Sequence, residues 1–132
     1  MVNVLLVDDD EDDRDLFCLA VHDLEPGFDC ALARNGEEAL QGLRMERFPK
    51  PHLIFLDLNM PRLDGLQFLR EIKKDLLLQD ISVAIYTTSK WEKDVEEAKR
   101  LGAAYFLTKP SSFRELCKLI ADVFEKEMLR VK

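Results

Sequence analysis

The chain has 132 residues, 47% hydrophobic and 34% charged, which suits one globular domain with one core and leaves little room for a second. A formal net charge of -7 with no offsetting basic cluster argues against a nucleic-acid-binding surface. There is no charged-then-apolar leader, and no apolar run approaches the roughly 20 residues of a membrane span. Cys18, Cys30 and Cys117 are odd in number and lack metal-ligand spacing, so reduced, buried thiols in a cytoplasmic protein without a membrane partner are expected.

The predicted elements alternate between two periods. Val2–Val7 is short and almost continuously apolar, the pattern of a strand buried on both faces. Phe17, Ala20, Val21 and Leu24 then recur at helical spacing. Phe28, Cys30 and Leu32 alternate with other residues, which suits a strand near a sheet edge. Asn35, with Glu38 three residues on, predicts a helix start, and Ala39, Leu40 and Leu43 form its apolar stripe. Leu53–Leu56 is another strand of the buried type, and Asp64 is placed to cap a helix carrying Leu66, Leu69, Ile72 and Leu76. Residues 81–86 predict a fourth strand. Ser89 and Glu92 then suggest a capping box for a helix with Val95, Ala98 and Leu101, closed by Gly102. Residues 103–107 predict the fifth strand, and Ser112, Glu115, Phe113, Leu116, Cys117, Ile120 and Phe124 mark the last helix.

Five strands alternating with five helices predict an α/β fold, a mostly parallel sheet with helices on both faces. No repeat, low-complexity stretch or linker interrupts it, so residues 1–132 read as one domain with no effector attached. Such sheets bind ligands beyond the carboxyl ends of their strands. The first strand ends in Asp8, Asp9 and Asp10, the third in Asp57, the fourth in Thr87 and Thr88, and the fifth in Lys109 and Pro110.

Convergence of these ends is what points to chemistry. Two carboxylates about 4 Å apart repel by ~1 kcal/mol in bulk water and ~4 kcal/mol at an effective dielectric near 20. A hard divalent cation relieves that repulsion, and Mg2+ needs only one or two direct carboxylates. The acids from Asp12 to Asp15 read as a solvated helix start, but Asp57 follows an apolar strand and has no helix to cap. A carboxylate can attack phosphorus to form an acyl phosphate, a reaction that depends on charge neutralisation and positioning more than on a base. Lys109 would supply a cation to a phosphoryl oxygen and Thr87 a hydroxyl. Pro110 restricts Lys109 to extended backbone and so aims its side chain.

Residues 4–10 (VLLVDDD), 56–65 (LDLNMPRLDG), 86–89 (YTTS) and 101–110 (LGAAYFLTKP), in that order and at those separations, resemble the receiver domain of two-component response regulators over essentially the whole chain. The resemblance implies a doubly wound, flavodoxin-like five-stranded sheet of order 2-1-3-4-5 with five helices. It implies that Asp57 is the phosphoacceptor. Asp9, Asp57 and the backbone carbonyl of Asn59 would bind Mg2+ directly, and Asp8 mainly through water. It further implies that Thr87 and Lys109 contact the phosphoryl group, that the Lys109–Pro110 bond is cis, and that Thr87 and Phe106 form a switch altering the fourth helix, fifth strand and fifth helix. Tyr105 is adjacent, and strand alternation favours Phe106. The expected partners are a sensor histidine kinase or phosphotransfer protein, a downstream protein target and a second copy of the chain. The YTTS and NMPRLDG stretches are similar to stand-alone regulators that partner phytochrome-like or hybrid kinases.

Two other classes fit less well. An aspartate-based phosphohydrolase would carry a second acid two residues after its nucleophile, where this chain has Asn59, and would need a cap domain. A receiver-like module that no longer uses phosphate would not need the intact set of acids, Thr87 and Lys109. A phosphoacceptor that is not an enzyme in its own right is therefore expected. No Gly-rich loop follows the first strand, which argues against nucleotide binding. His22 and His52 have no metal partner at ligand spacing and read as surface or packing residues, and Trp91 reads equally as a contact residue or a helix start.

Overall fold

Ten elements alternate in a computed structural model that describes residues 2–24, 28–60, 64–88 and 92–130, residue 130 by its backbone alone. They are β1 (Val2–Val7), α1 (Glu11–Leu24), β2 (Phe28–Ala33), α2 (Gly36–Arg44), β3 (Leu53–Leu56), α3 (Gly65–Lys74), β4 (Ser82–Thr87), α4 (Glu92–Arg100), β5 (Tyr105–Thr108) and α5 (Phe113–Arg130). The strands form one parallel sheet in the order β2-β1-β3-β4-β5, as the resemblance implied.

Side chains alternate between the two faces of each strand, and both faces are covered. Leu5, Val7, Ile54, Leu56, Val83 and Ile85 pack towards α2, α3 and α4. Val4, Leu6, Leu53, Phe55, Ala84 and Tyr86 pack towards α1 and α5, where Phe17 and Phe55 meet edge to face with ring centroids 4.8 Å apart. β2 is half-buried, as an edge strand should be. α4 is the most weakly anchored helix, with Ala98 as its buried side chain among the described residues.

The helix starts follow their local chemistry. Asn35 and Asp64 accept from the backbone N–H groups of Glu38 (2.8 Å) and Gln67 (2.9 Å), and Ser112 from that of Glu115 (3.1 Å). The Glu38 carboxylate turns back to the N–H of Arg34 rather than to that of the cap residue. α2 ends with Glu46 at φ 52° and with the Arg47 N–H donating to the Gly42 carbonyl (2.9 Å), a turn usually built on glycine. Ser89 and Trp91, expected at the start of α4, lie outside the described residues.

Three expectations are corrected. Leu76 is not part of α3: Asp75 closes the helix, its carboxylate accepts from the Leu77 N–H (2.9 Å), and Leu76 is 80% exposed. The cysteines are free, but half-buried rather than buried, with Cys30 and Cys117 packed at the margin of the core rather than within it. The Lys109–Pro110 bond is trans, the intrinsically preferred isomer of an X-Pro bond by about 0.5–1 kcal/mol.

Candidate functional site

The sheet brings the ends of β1, β3, β4 and β5 to one edge. β1, β3 and β4 stand in register at Val7, Leu56 and Ile85, and β4 and β5 at Thr87 and Thr108. Each ladder runs one residue past its strand. The Asp8 N–H donates to the Ala33 carbonyl (3.0 Å), that of Asp57 to Val7 (3.0 Å) and that of Lys109 to Thr87 (3.2 Å). Asp8, Asp57 and Lys109 thus leave the sheet at its carboxyl edge from a fixed backbone.

The expected residues meet there. Asp8, Asp9 and Asp57 each offer an oxygen within 4.8 Å of the others. Asp8 is fully buried, Asp57 is 4% exposed and Thr87 3%, whereas Asp9 lies at the surface. Asp57 Oδ1 accepts from the Thr87 hydroxyl (2.8 Å) and from the Asn59 N–H (3.0 Å). Asp57 Oδ2 accepts from Lys109 Nζ (3.0 Å). The Asp57 carboxylate is therefore held in one orientation by three donors.

Lys109 is the cation of the cluster. Its ammonium is 2.7 Å from Asp8 Oδ2, 2.7 Å from Asp13 Oδ2 and 3.0 Å from Asp57 Oδ2, with the Tyr86 ring centroid 5.6 Å away. Burial opposes its charge, and Asp13, Asp8 and Asp57 together overcome that and push its pKa above the usual lysine value. At Asp8 burial prevails instead: it pushes the carboxyl above the usual range despite Lys109 and the Asp10 N–H, which donates to Oδ1 (3.0 Å).

This donor set fits a hard divalent cation. The clustered ligand atoms are all carboxylate oxygens. Asp8 Oδ2 is close to the Lys109 ammonium but accepts no aligned hydrogen bond, so a buried anionic oxygen retains coordinating capacity. Three carboxylates surround one ammonium and Asp9 stands beside them, which leaves negative charge for a cation to balance.

Two contributors were missed in the sequence. Asp13 read as a solvated helix-start acid, yet it reaches Lys109; the available signal was its place four residues before Phe17, on the same inward stripe of α1. Gly65 was seen only as part of a motif. A Cβ there would lie 2.5 Å from the Asp57 carbonyl oxygen and 2.6 Å from Leu58 Cα, so glycine lets α3 close against the Asp57 loop. Phe106 is half-buried opposite Ile85 on the α2–α4 side, with Lys99 Nζ 5.6 Å from its ring centroid. Tyr105 faces the other side, where its hydroxyl donates to Glu127 (2.7 Å). His52 Nδ1 accepts from the Asn3 N–H (3.0 Å) away from the cluster, a packing role.

The family model for the response regulator receiver domain matches residues 4–121. The chain belongs to this family. It is 33% identical over 124 residues to response regulator Rcp1 of Synechocystis, covering 91% of this chain and 84% of Rcp1. It is 34% identical over 123 residues to Protein PilH of Pseudomonas aeruginosa, covering 93% and 98% of the two chains. Among solved structures, the Mn2+-bound form of Rcp1 superposes with a TM-score of 0.83 at 32% identity, covering 93% of this chain and 91% of that one. The phosphorylated cyanobacterial phytochrome response regulator RcpA superposes with a TM-score of 0.88 at 30% identity, covering 96% and 94%. The chain is a receiver domain of two-component signalling, a family phosphorylated on aspartate by histidine kinases or phosphotransfer proteins. Among the described residues, no helix is long and apolar enough to cross a membrane.

Proposed function

We propose that this receiver domain takes its phosphoryl group on Asp57 and acts as a phosphoacceptor switch rather than as an enzyme on a separate substrate. The observation that carries this reading is the Asp57 carboxylate itself, buried and held by Thr87, Asn59 and Lys109 at the carboxyl edge of the sheet. A carboxylate oxygen of Asp57 bonds to phosphorus while the bond from phosphorus to the donor's leaving group breaks, and the electron pair departs with that group. Lys109 offsets the charge carried by the phosphoryl oxygens, and the Thr87 hydroxyl turns from Asp57 to donate to one of them.

Asp8, Asp9 and Asp57, with the backbone carbonyl of Asn59, would hold Mg2+. When bound, the ion supplies positive charge to the acids and to the phosphoryl oxygens. Support comes from the oxygen-only donor set and from the similarity to Rcp1, whose structure is known in a Mn2+-bound form. The similarity to phosphorylated RcpA supports the phosphoacceptor reading.

Thr87 ends β4 and Phe106 lies on neighbouring β5 opposite Ile85, and movement of the Thr87 hydroxyl would open space into which the Phe106 ring can turn. The face of α4, β5 and α5 would then bind a downstream protein or a second copy of the chain differently in the two states, in a cytoplasmic pathway fed by a sensor kinase or phosphotransfer protein. Mass spectrometry after incubation with acetyl phosphate and Mg2+ tests the acceptor. Wild type is expected to gain one phosphoryl group and Asp57→Asn none; equal labelling of the two would overturn the assignment.

A further inference from the structure

The Lys109 ammonium donates to Asp13 Oδ2 (2.7 Å) and Asp57 Oδ2 (3.0 Å) and lies 2.7 Å from Asp8 Oδ2 without an aligned hydrogen bond, so three carboxylates already crowd its nitrogen. A phosphoryl group on Asp57 brings new anionic oxygens to this ammonium, and one present contact must be given up or shared. The three acids differ in what release would cost. Asp57 carries the phosphoryl group. Asp8 is fully buried and has no solvent to turn into. The Asp13 side chain is 34% exposed and can turn into water. Its backbone is already anchored by the N–H donated to Asp10 Oδ1 (3.0 Å), so rotation of the side chain is sufficient.

We propose that Asp13 is a positioning residue that competes with the phosphoryl group for Lys109, holding the ammonium in the unphosphorylated state and yielding it to the phosphoryl oxygens, with its own carboxylate turning into water, when Asp57 is modified. The proposal rests on Asp57 as phosphoacceptor and adds a determinant of how strongly the modified state is favoured. Asp13 lies outside the group of acids that cluster as metal ligands, so its effect is separable from cation binding.

The test measures the affinity of the chain for beryllofluoride, a stand-in for the phosphoryl group, by calorimetry at saturating Mg2+. Asp13→Asn is expected to bind about fivefold more tightly than wild type, the scale of one half-exposed ion pair of ~1 kcal/mol. Asp13→Ala should behave alike, and Asp13→Glu, which keeps the competing charge, should stay near wild type. Asp12→Asn removes the same charge from an exposed position on the same turn and should change affinity less than twofold, on the order expected of a solvated charge. Unchanged or weaker binding by both Asp13→Asn and Asp13→Ala would overturn the proposal, as would equal shifts in the Asp12 and Asp13 variants. Failure of the acceptor assignment shows separately: wild type would then fail to bind beryllofluoride, and Asp57→Asn would be labelled by acetyl phosphate as readily as wild type.

Discussion

Replacing Lys109 by methionine keeps most of the stem and removes the charge. Its side chain is only 9% exposed, and three carboxylates lie 2.7–3.0 Å from its nitrogen. Removing one partner of a buried ion pair costs about 3–5 kcal/mol, because the remaining charge stays desolvated. At an unfolding entropy of about 2.1 cal/mol/K per residue, a chain of this length should lose roughly 11–18 °C in Tm without added metal. The loss should depend on pH with a definite sign. Asp8 already has a raised pKa, and Lys109 is among the groups pulling it down, so the substitution raises it further. A carboxyl raised in the folded state above its unfolded value penalises folding above the folded pKa, and the penalty fades as pH falls through it. Thermal melts followed by circular dichroism should therefore show a larger deficit at pH 8 than at pH 5. Adding Asp8→Asn to the methionine variant should recover part of the loss, since it removes the most buried of the stranded charges. A Tm equal to that of wild type at both pH values would refute the view that this lysine neutralises the cluster.

Gly65→Ala should lower stability by about 1–3 kcal/mol in denaturant titration and slow labelling of Asp57, because its Cβ meets backbone 2.5 Å away in the Asp57 loop; wild-type stability and rate together would contradict this. Glu46→Gly should raise stability by about 0.5–1 kcal/mol, since the left-handed position at φ 52° suits glycine and the site lies far from Asp57; a destabilised variant would show that the Glu46 side chain matters more than its backbone.

Much of this was readable in the sequence for identifiable reasons. Buried strands such as Leu53–Leu56 and stripes such as Ala39, Leu40 and Leu43 carry their period in the apolar residues themselves, and all ten elements were found that way. Asn35, Asp64 and Ser112 announce helix starts because a short polar side chain satisfies a free N–H locally. Asp8, Asp57, Thr87 and Lys109 converge because parallel strands end at one edge, a rule that needs only element order. Asp13 was harder to read, because its contact to Lys109 spans 96 residues and a run of acids looks alike until the helix phase is applied. Leu76 was misplaced because an apolar residue at helical spacing does not reveal that Asp75 has already turned the chain.

The light anchoring of α4 has a consequence for where this molecule yields first. Local opening takes little free energy where few apolar contacts are broken, and amide hydrogens there exchange with solvent earliest. A helix whose buried side chain among the described residues is Ala98 sits near that lower limit, while α5 is secured through Leu116, Ile120, Val123 and Phe124. The sheet thus carries four firmly packed helices and a fifth, α4, that can be displaced by perturbations too small to disturb the rest.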